Sequence, residues 1–88
     1  MEFRESETLE LKKTTSELKE AIVAIAAMLN KHGKGEVYFG IRNDGEVLGQ
    51  EVSDKTLRGV SQAISDNIEP KIYPLVQNFS AMGRQCIH

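Results

Sequence analysis

Apolar and polar positions change period several times along the chain, and each change marks an element. Over residues 8–13 they alternate: Leu9 and Leu11 point one way, Thr8, Glu10 and Lys12 the other, the period of a strand with one buried face. From Leu18 the spacing becomes helical, with Leu18, Ile22, Ile25, Ala26 and Leu29 on one stripe that runs to about His32. Thr14 and Glu17 fit a capping box at its start. Gly33 stops it as a C′ residue, with Lys31 and His32 placed for the negative end of the helix. Residues 36–41 then read as a second strand. Asn43-Asp44-Gly45 turns it back into a third, over residues 46–48, because Asp-Gly between apolar strands is a strong hairpin signal. Ser53 or Asp54 caps a second helix with Leu57, Val60, Ile64 and Ile68 on its stripe. Pro70 and Pro74 bar its continuation. Residues 75–79 predict a strand, residues 81–84 a turn, and residues 85–88 the start of a returning strand.

The predicted order is strand, helix, strand, strand, helix, strand, strand, an α+β chain. Strand, helix, strand with short links makes a right-handed crossover with parallel strands. Two helices on one face of a mixed sheet is the economical packing. On that arrangement the helices are expected to cover Leu9, Leu11, Val37, Phe39 and Ile41. The other face is then expected to carry Glu10, Lys12, Tyr38 and Arg42.

Composition narrows the class. Eighty-eight residues make one small domain spanning 1–88, near the lower limit for an independent core. The formal net charge of −2 gives no general pull towards nucleic acid or an anionic membrane, so any phosphate contacts must come from local clusters. One cysteine, Cys86, excludes an internal disulfide and suits a reducing, cytoplasmic setting. The longest apolar run, residues 21–29, is too short to span a bilayer. His32 and His88 lack Cys or acidic partners at zinc-site spacing. Gly33-Lys34-Gly35 leads into a strand and lacks the Gly-Lys-Ser/Thr ending of a P-loop. The expected apolar strand at residues 85–87 has no strand after it to pair with, which points to self-association.

Ordered landmarks resemble one family. Glu5-Ser6-Glu7-Thr8-Leu9-Glu10-Leu11-Lys12 is similar to the Glu-Ser-x-x-x-Glu-Phe-Lys opening of the Schlafen-type Alba-like domain. Asn30 to Gly35 resembles its Asn-Thr-x-Gly-Gly helix end. Tyr38-Phe39-Gly40-Ile41 with Asp44-Gly45-Glu46-Val47-Leu48-Gly49 resembles its Gly-Val-Asp-Asp-x-Gly-x-Val-x-Gly hairpin, and Ile68-Glu69-Pro70 its Ile-x-Pro. The resemblance implies an Alba-like mixed sheet and a nucleic-acid-binding module of bacterial transcriptional regulators, some once labelled divergent AAA proteins. Members carry further segments downstream, so the chain is expected to be the N-terminal part of a longer one.

In some animal relatives the resemblance implies a nuclease that uses Mg²⁺ or Mn²⁺ held by clustered carboxylates. The matching positions are Glu5, Glu10 and Asp44, with Lys12 steadying the transition state. Arg42 and Asn43 stand where the family has its paired aspartates, which weighs against catalysis. No cofactor is expected for the binding reading. A third reading is a dimerisation or protein-interaction domain. For nucleic-acid binding, DNA or RNA, the candidates are Lys12, Lys13 and Arg42, which the crossover brings to one edge, and Tyr38 as a stacking platform.

Overall fold

The structure is a computed structural model that describes residues 3–68 and 74–88. Among these residues four strands form, β1 (Leu9–Lys12), β2 (Glu36–Phe39), β3 (Asn78–Ala81) and β4 (Arg84–Ile87). Two helices accompany them, α1 (Leu18–His32) and α2 (Asp54–Asn67). The sheet runs in the order β1-β2-β4-β3, with β1 parallel to β2 and the remaining pairs antiparallel.

Both helices lie on one face, as the stripes predict. Ala21 and Met28 of α1 and Val60 and Ile64 of α2 bury against Val37, Phe39 and Ile87 of the sheet, and Ile68 joins them. The ends follow local chemistry. Gly33 caps α1 in the left-handed conformation (φ 75°), its N–H donating to the Leu29 carbonyl at 2.9 Å. Ser53 caps α2, its Oγ accepting from the Thr56 N–H at 3.1 Å. At the head of α1 a single 3-10 turn, Thr15–Glu17, intervenes. Thr14 Oγ1 accepts from Ser16 N, and Glu17 reaches back one residue further than a capping box requires, to the Lys13 N–H at 2.9 Å.

The two faces differ from the expectation. Leu9 pairs with Glu36 and Leu11 with Tyr38, whereas Glu10 pairs with Val37 and Lys12 with Phe39. Paired residues share a face, so Leu9 and Leu11 turn away from the helices and Glu10 and Lys12 turn towards them. Alternation fixes orientation within a strand, but the register between strands is set by the 33–35 link. The face without helices is therefore apolar. Phe3, Leu11, Ile41 and Cys86 form a second core there, with Leu9, Tyr38, Val47, Phe79 and Ala81 packed on it. The Phe3 ring meets those of Tyr38 at 5.3 Å and Phe79 at 5.8 Å, both edge-on.

Ile41 reaches that second core through a bulge. The N–H groups of Gly40 and Ile41 both donate to the Lys12 carbonyl, at 2.8 and 3.1 Å. The extra residue reverses the alternation after Phe39. Gly40 sits at φ 103°, and a Cβ there would stand 3.1 Å from Cys86 Sγ.

Three further expectations are corrected. The third strand reduces to one bridge, Ile41 with Val47, because the bulge and the turn at Gly45 leave little straight backbone between them. The predicted strand at 75–79 lies further on, at Asn78–Ala81, although Gln77 and His88 already exchange backbone bonds at 3.2 and 2.9 Å. The returning strand, β4, is interior, paired with β2 on one side and β3 on the other. It is therefore not the open edge inferred for residues 85–87. Glu69 and Pro70 of the Ile-x-Pro landmark lie outside the described residues. Among those described, no helix is long and apolar enough to cross a membrane.

Candidate nucleic-acid interface

Parallel strands end together, so the crossover places the carboxyl ends of β1 and β2 side by side. After β1 the chain folds into the Thr15–Glu17 turn. After the Gly40 bulge it enters a tight turn in which Gly45 N–H donates to the Arg42 carbonyl and Arg42 N–H to the Glu46 carbonyl, both at 2.8 Å. That pattern is a three-residue loop closed by a glycine bulge. Between the two turns lies a cleft of about 350 Å³ lined by Lys12, Lys13, Glu17, Arg42, Asn43 and Asp44. Its lining holds three cations and two carboxylates, and Glu10 and Glu46 pair with Lys12 and Arg42 from beside it, so four acids surround the three cations.

The cations are partly engaged. Lys12 Nζ stands 3.1 Å from Glu10 Oε2. Arg42 holds Glu46 at 3.1 Å and Asp44 at 3.5 Å, all three side chains about half exposed. Pairs in that setting are worth roughly 0.2–1 kcal/mol, so an incoming phosphate competes with them readily. Asp44 also accepts from the Glu46 N–H at 3.0 Å, which holds the turn.

Lys12, Lys13 and Arg42 line one cleft at the shared end of the two strands; Tyr38 does not join them. Its ring lies on the apolar face, edge-on to Phe3 and Phe79 at 5.3 Å and stacked on His88 at 4.2 Å with the planes 3° apart. Burial, with the charge of Glu36 adding to it, pushes the Tyr38 phenol above its ordinary value. The expectation that Tyr38 shares an open polar face with Arg42 fails, because it shares register with Leu11.

The three carboxylates of the nuclease reading do not gather. Glu5 Oε2 accepts from the Leu11 N–H at 3.1 Å along the outer edge of β1. Glu10 lies on the helix side beside Lys12, and Asp44 lies in the turn. Among the described residues no group of three or more His, Cys, Asp and Glu side chains is arranged to hold a metal ion. These residues do not fit a shared Mg²⁺ or Mn²⁺ site.

Cys86 is fully buried, and burial raises its thiol pKa, partly offset by a backbone hydrogen bond from Gly49. Sequence reasoning missed Glu17 and Asn43 as cleft residues. Their signal was positional: each sits in the turn that follows a parallel strand, where side chains of the two turns converge.

No curated protein matches the chain, and no solved structure matches it. The sequence model of one family, described as Schlafen, AlbA_2, matches residues 5–87. That span includes both strands of the crossover, the cleft and β4. The chain belongs to the Schlafen AlbA_2 family.

Proposed function

We propose that this chain is a nucleic-acid-binding module, of the kind found in bacterial transcriptional regulators, and that it grips the sugar–phosphate backbone at the Lys12–Lys13–Arg42 cleft. The observation that carries the reading is the convergence of these three side chains at the shared end of β1 and β2. Membership of the family supports it. Contacts of this type position a protein on a strand without reading its sequence. Arg42 exchanges its carboxylate partners for phosphate oxygens, which its planar fork matches well. Lys12 and Lys13 add point charges beside it.

The test is a salt titration. Fluorescence anisotropy of labelled DNA and RNA duplexes, starting at about 50 mM salt, gives the slope of log K against log salt. Changing Lys12 and Arg42 together to Ala is expected to flatten that slope by about two, roughly one unit for each phosphate no longer gripped, and to weaken binding alike on all sequences. Equal binding by the double variant, or no binding by the parent, would overturn the reading in favour of an interaction domain.

A further inference from the structure

The two walls of the cleft come from different turns. Lys12, Lys13 and Glu17 belong to the turn after β1, and Arg42, Asn43 and Asp44 to the turn after β2. Backbone joins the walls at their base, where Gly40 and Ile41 both donate to the Lys12 carbonyl. One side chain joins them a second time. Gln50 Oε1 accepts from the Thr15 N–H at 3.0 Å, and Gln50 Nε2 donates to Thr15 Oγ1 at 3.4 Å, a part-buried link between residues 35 apart in sequence.

Gln50 is itself fixed. Its N–H donates to the Gln85 carbonyl of β4 at 2.8 Å, and Nε2 also donates to the Glu51 carbonyl at 3.0 Å. Just before it, the N–H groups of Leu48 and Gly49 donate to the Gly40 carbonyl at 2.8 and 2.9 Å. The segment that returns from the Arg42 turn is thus pinned between the end of β2 and β4, and its side chain reaches across to Thr15. The residue type matters. Thr15 offers one donor and one acceptor, and an amide answers both; a carboxylate has no donor. The link also adds no charge to a site in which four acids already surround three cations. The turn after β1 has bonds of its own, Glu17 N–H to the Thr14 carbonyl and Lys13 N–H to Glu17 Oε1. These fix its shape, whereas Gln50 fixes its place against the opposite wall.

We infer that Gln50 is the positioning residue of the cleft, holding the Lys12–Lys13 wall in register with the Arg42 wall before a nucleic-acid backbone arrives. The inference rests on the reading of the cleft as a backbone grip. With the link made in the free protein, the two turns are ordered on folding and lose little freedom on binding. Without it the turn after β1 moves independently of Arg42, and that ordering opposes binding.

Two variants cut the link from opposite sides. Gln50→Leu removes the amide. Thr15→Pro removes the N–H and the hydroxyl; Thr15 opens its turn after an extended Thr14, a position that suits proline. In the salt titration each is expected to weaken binding about 2- to 12-fold, the worth of one newly immobilised side chain. The slope of log K against log salt should stay as in the parent, because the three cations remain. Combining the variants should weaken binding no further, since both cut one link. Amide hydrogen exchange reads the geometry directly. In Gln50→Leu the Thr15 N–H should exchange faster, while the Gln50 N–H, held by Gln85, keeps its parental rate. Faster exchange at Thr15 with unchanged affinity would make Gln50 a structural residue only, and would overturn the inference while the grip stands. Unchanged exchange at Thr15, a slope flattened by about one unit, or losses that add in the double variant would overturn it too. A parent that binds neither DNA nor RNA would overturn the grip itself and this inference with it.

Discussion

Replacing Gly40 with alanine probes the bulge with one methyl group. At φ 103° an L side chain is strained, which costs about 1–3 kcal/mol at such positions. The new Cβ would also stand 3.1 Å from Cys86 Sγ and 3.4 Å from both Cys86 Cβ and the Gly49 carbonyl carbon. Overpacking of a closed core adds about 1–3 kcal/mol. Gly33 supplies the control. Its φ is 75° and a Cβ there meets nothing within 4 Å, so Gly33→Ala carries only the conformational cost of about 1–2 kcal/mol. The two variants should therefore differ by about 1–3 kcal/mol in urea unfolding, read from midpoints at constant slope. At about 4–8 °C per kcal/mol for a domain of this length, a loss of about 3 kcal/mol lowers Tm by about 12–24 °C. A double-mutant cycle with Cys86→Ala separates the parts, because removing Sγ relieves the crowding and leaves the φ strain. The cycle should show a favourable coupling of at least about 0.5 kcal/mol. Gly40→Ala no worse than Gly33→Ala, or a cycle without coupling, would refute the account of the bulge.

Two other outcomes follow from the site and its surroundings. Asp44→Asn removes one carboxylate partner of Arg42 and is expected to tighten nucleic-acid binding about 1.5- to 5-fold at low salt, the worth of an exposed ion pair; unchanged or weaker binding in the anisotropy assay would contradict it. Stability should fall as the pH rises past about 9. Burial raises the Cys86 thiol, and burial with Glu36 raises the Tyr38 phenol, so the unfolded chain releases these protons first. The stability they supply is whole at neutral pH and is lost through the folded-state values. A urea midpoint at pH 10 equal to that at pH 7 would contradict this.

Local signals were strong wherever one stretch of chain decided the outcome. Ser53 and Gly33 set helix ends by capping chemistry confined to a few neighbouring residues; Gly33 was legible outright and Ser53 as one of two candidates with Asp54. The stripe of α2 was legible for the same reason, and that of α1 in part, since its buried residues are Ala21 and Met28 while Ala26 is exposed; two stripes over one sheet still implied one covered face. What failed was the phase between strands. Leu9 and Val37 both alternate with polar neighbours, yet nothing in period two says whether they share a face; the link through Gly33, Lys34 and Gly35 decides it. Ile41 was misplaced because the Gly40 bulge inverts an alternation that looks unbroken in the sequence. That Lys12, Lys13 and Arg42 line one cleft was legible because parallel strands end together whatever their facing. Tyr38 was not, since its place depends on register.

The centre of the sheet has a consequence for how the molecule comes apart. β2 and β4 meet through a single paired position, Phe39 with Ile87, whereas the β1–β2 and β3–β4 ladders each pair along their strands. The crossover β1-α1-β2 is built from residues near one another in sequence, as is the β3–β4 hairpin, while the seam between them joins residues 48 apart. Loop closure predicts that this seam forms late in assembly. Little backbone ladder joins the two halves, and side chains hold them instead: Ile87 in the helix-side core, Cys86 in the second core and His88 stacked on Tyr38. Lifting the hairpin away would draw Ile87 out of one core and Cys86 and Phe79 out of the other, so it is expected to open together with the fold as a whole.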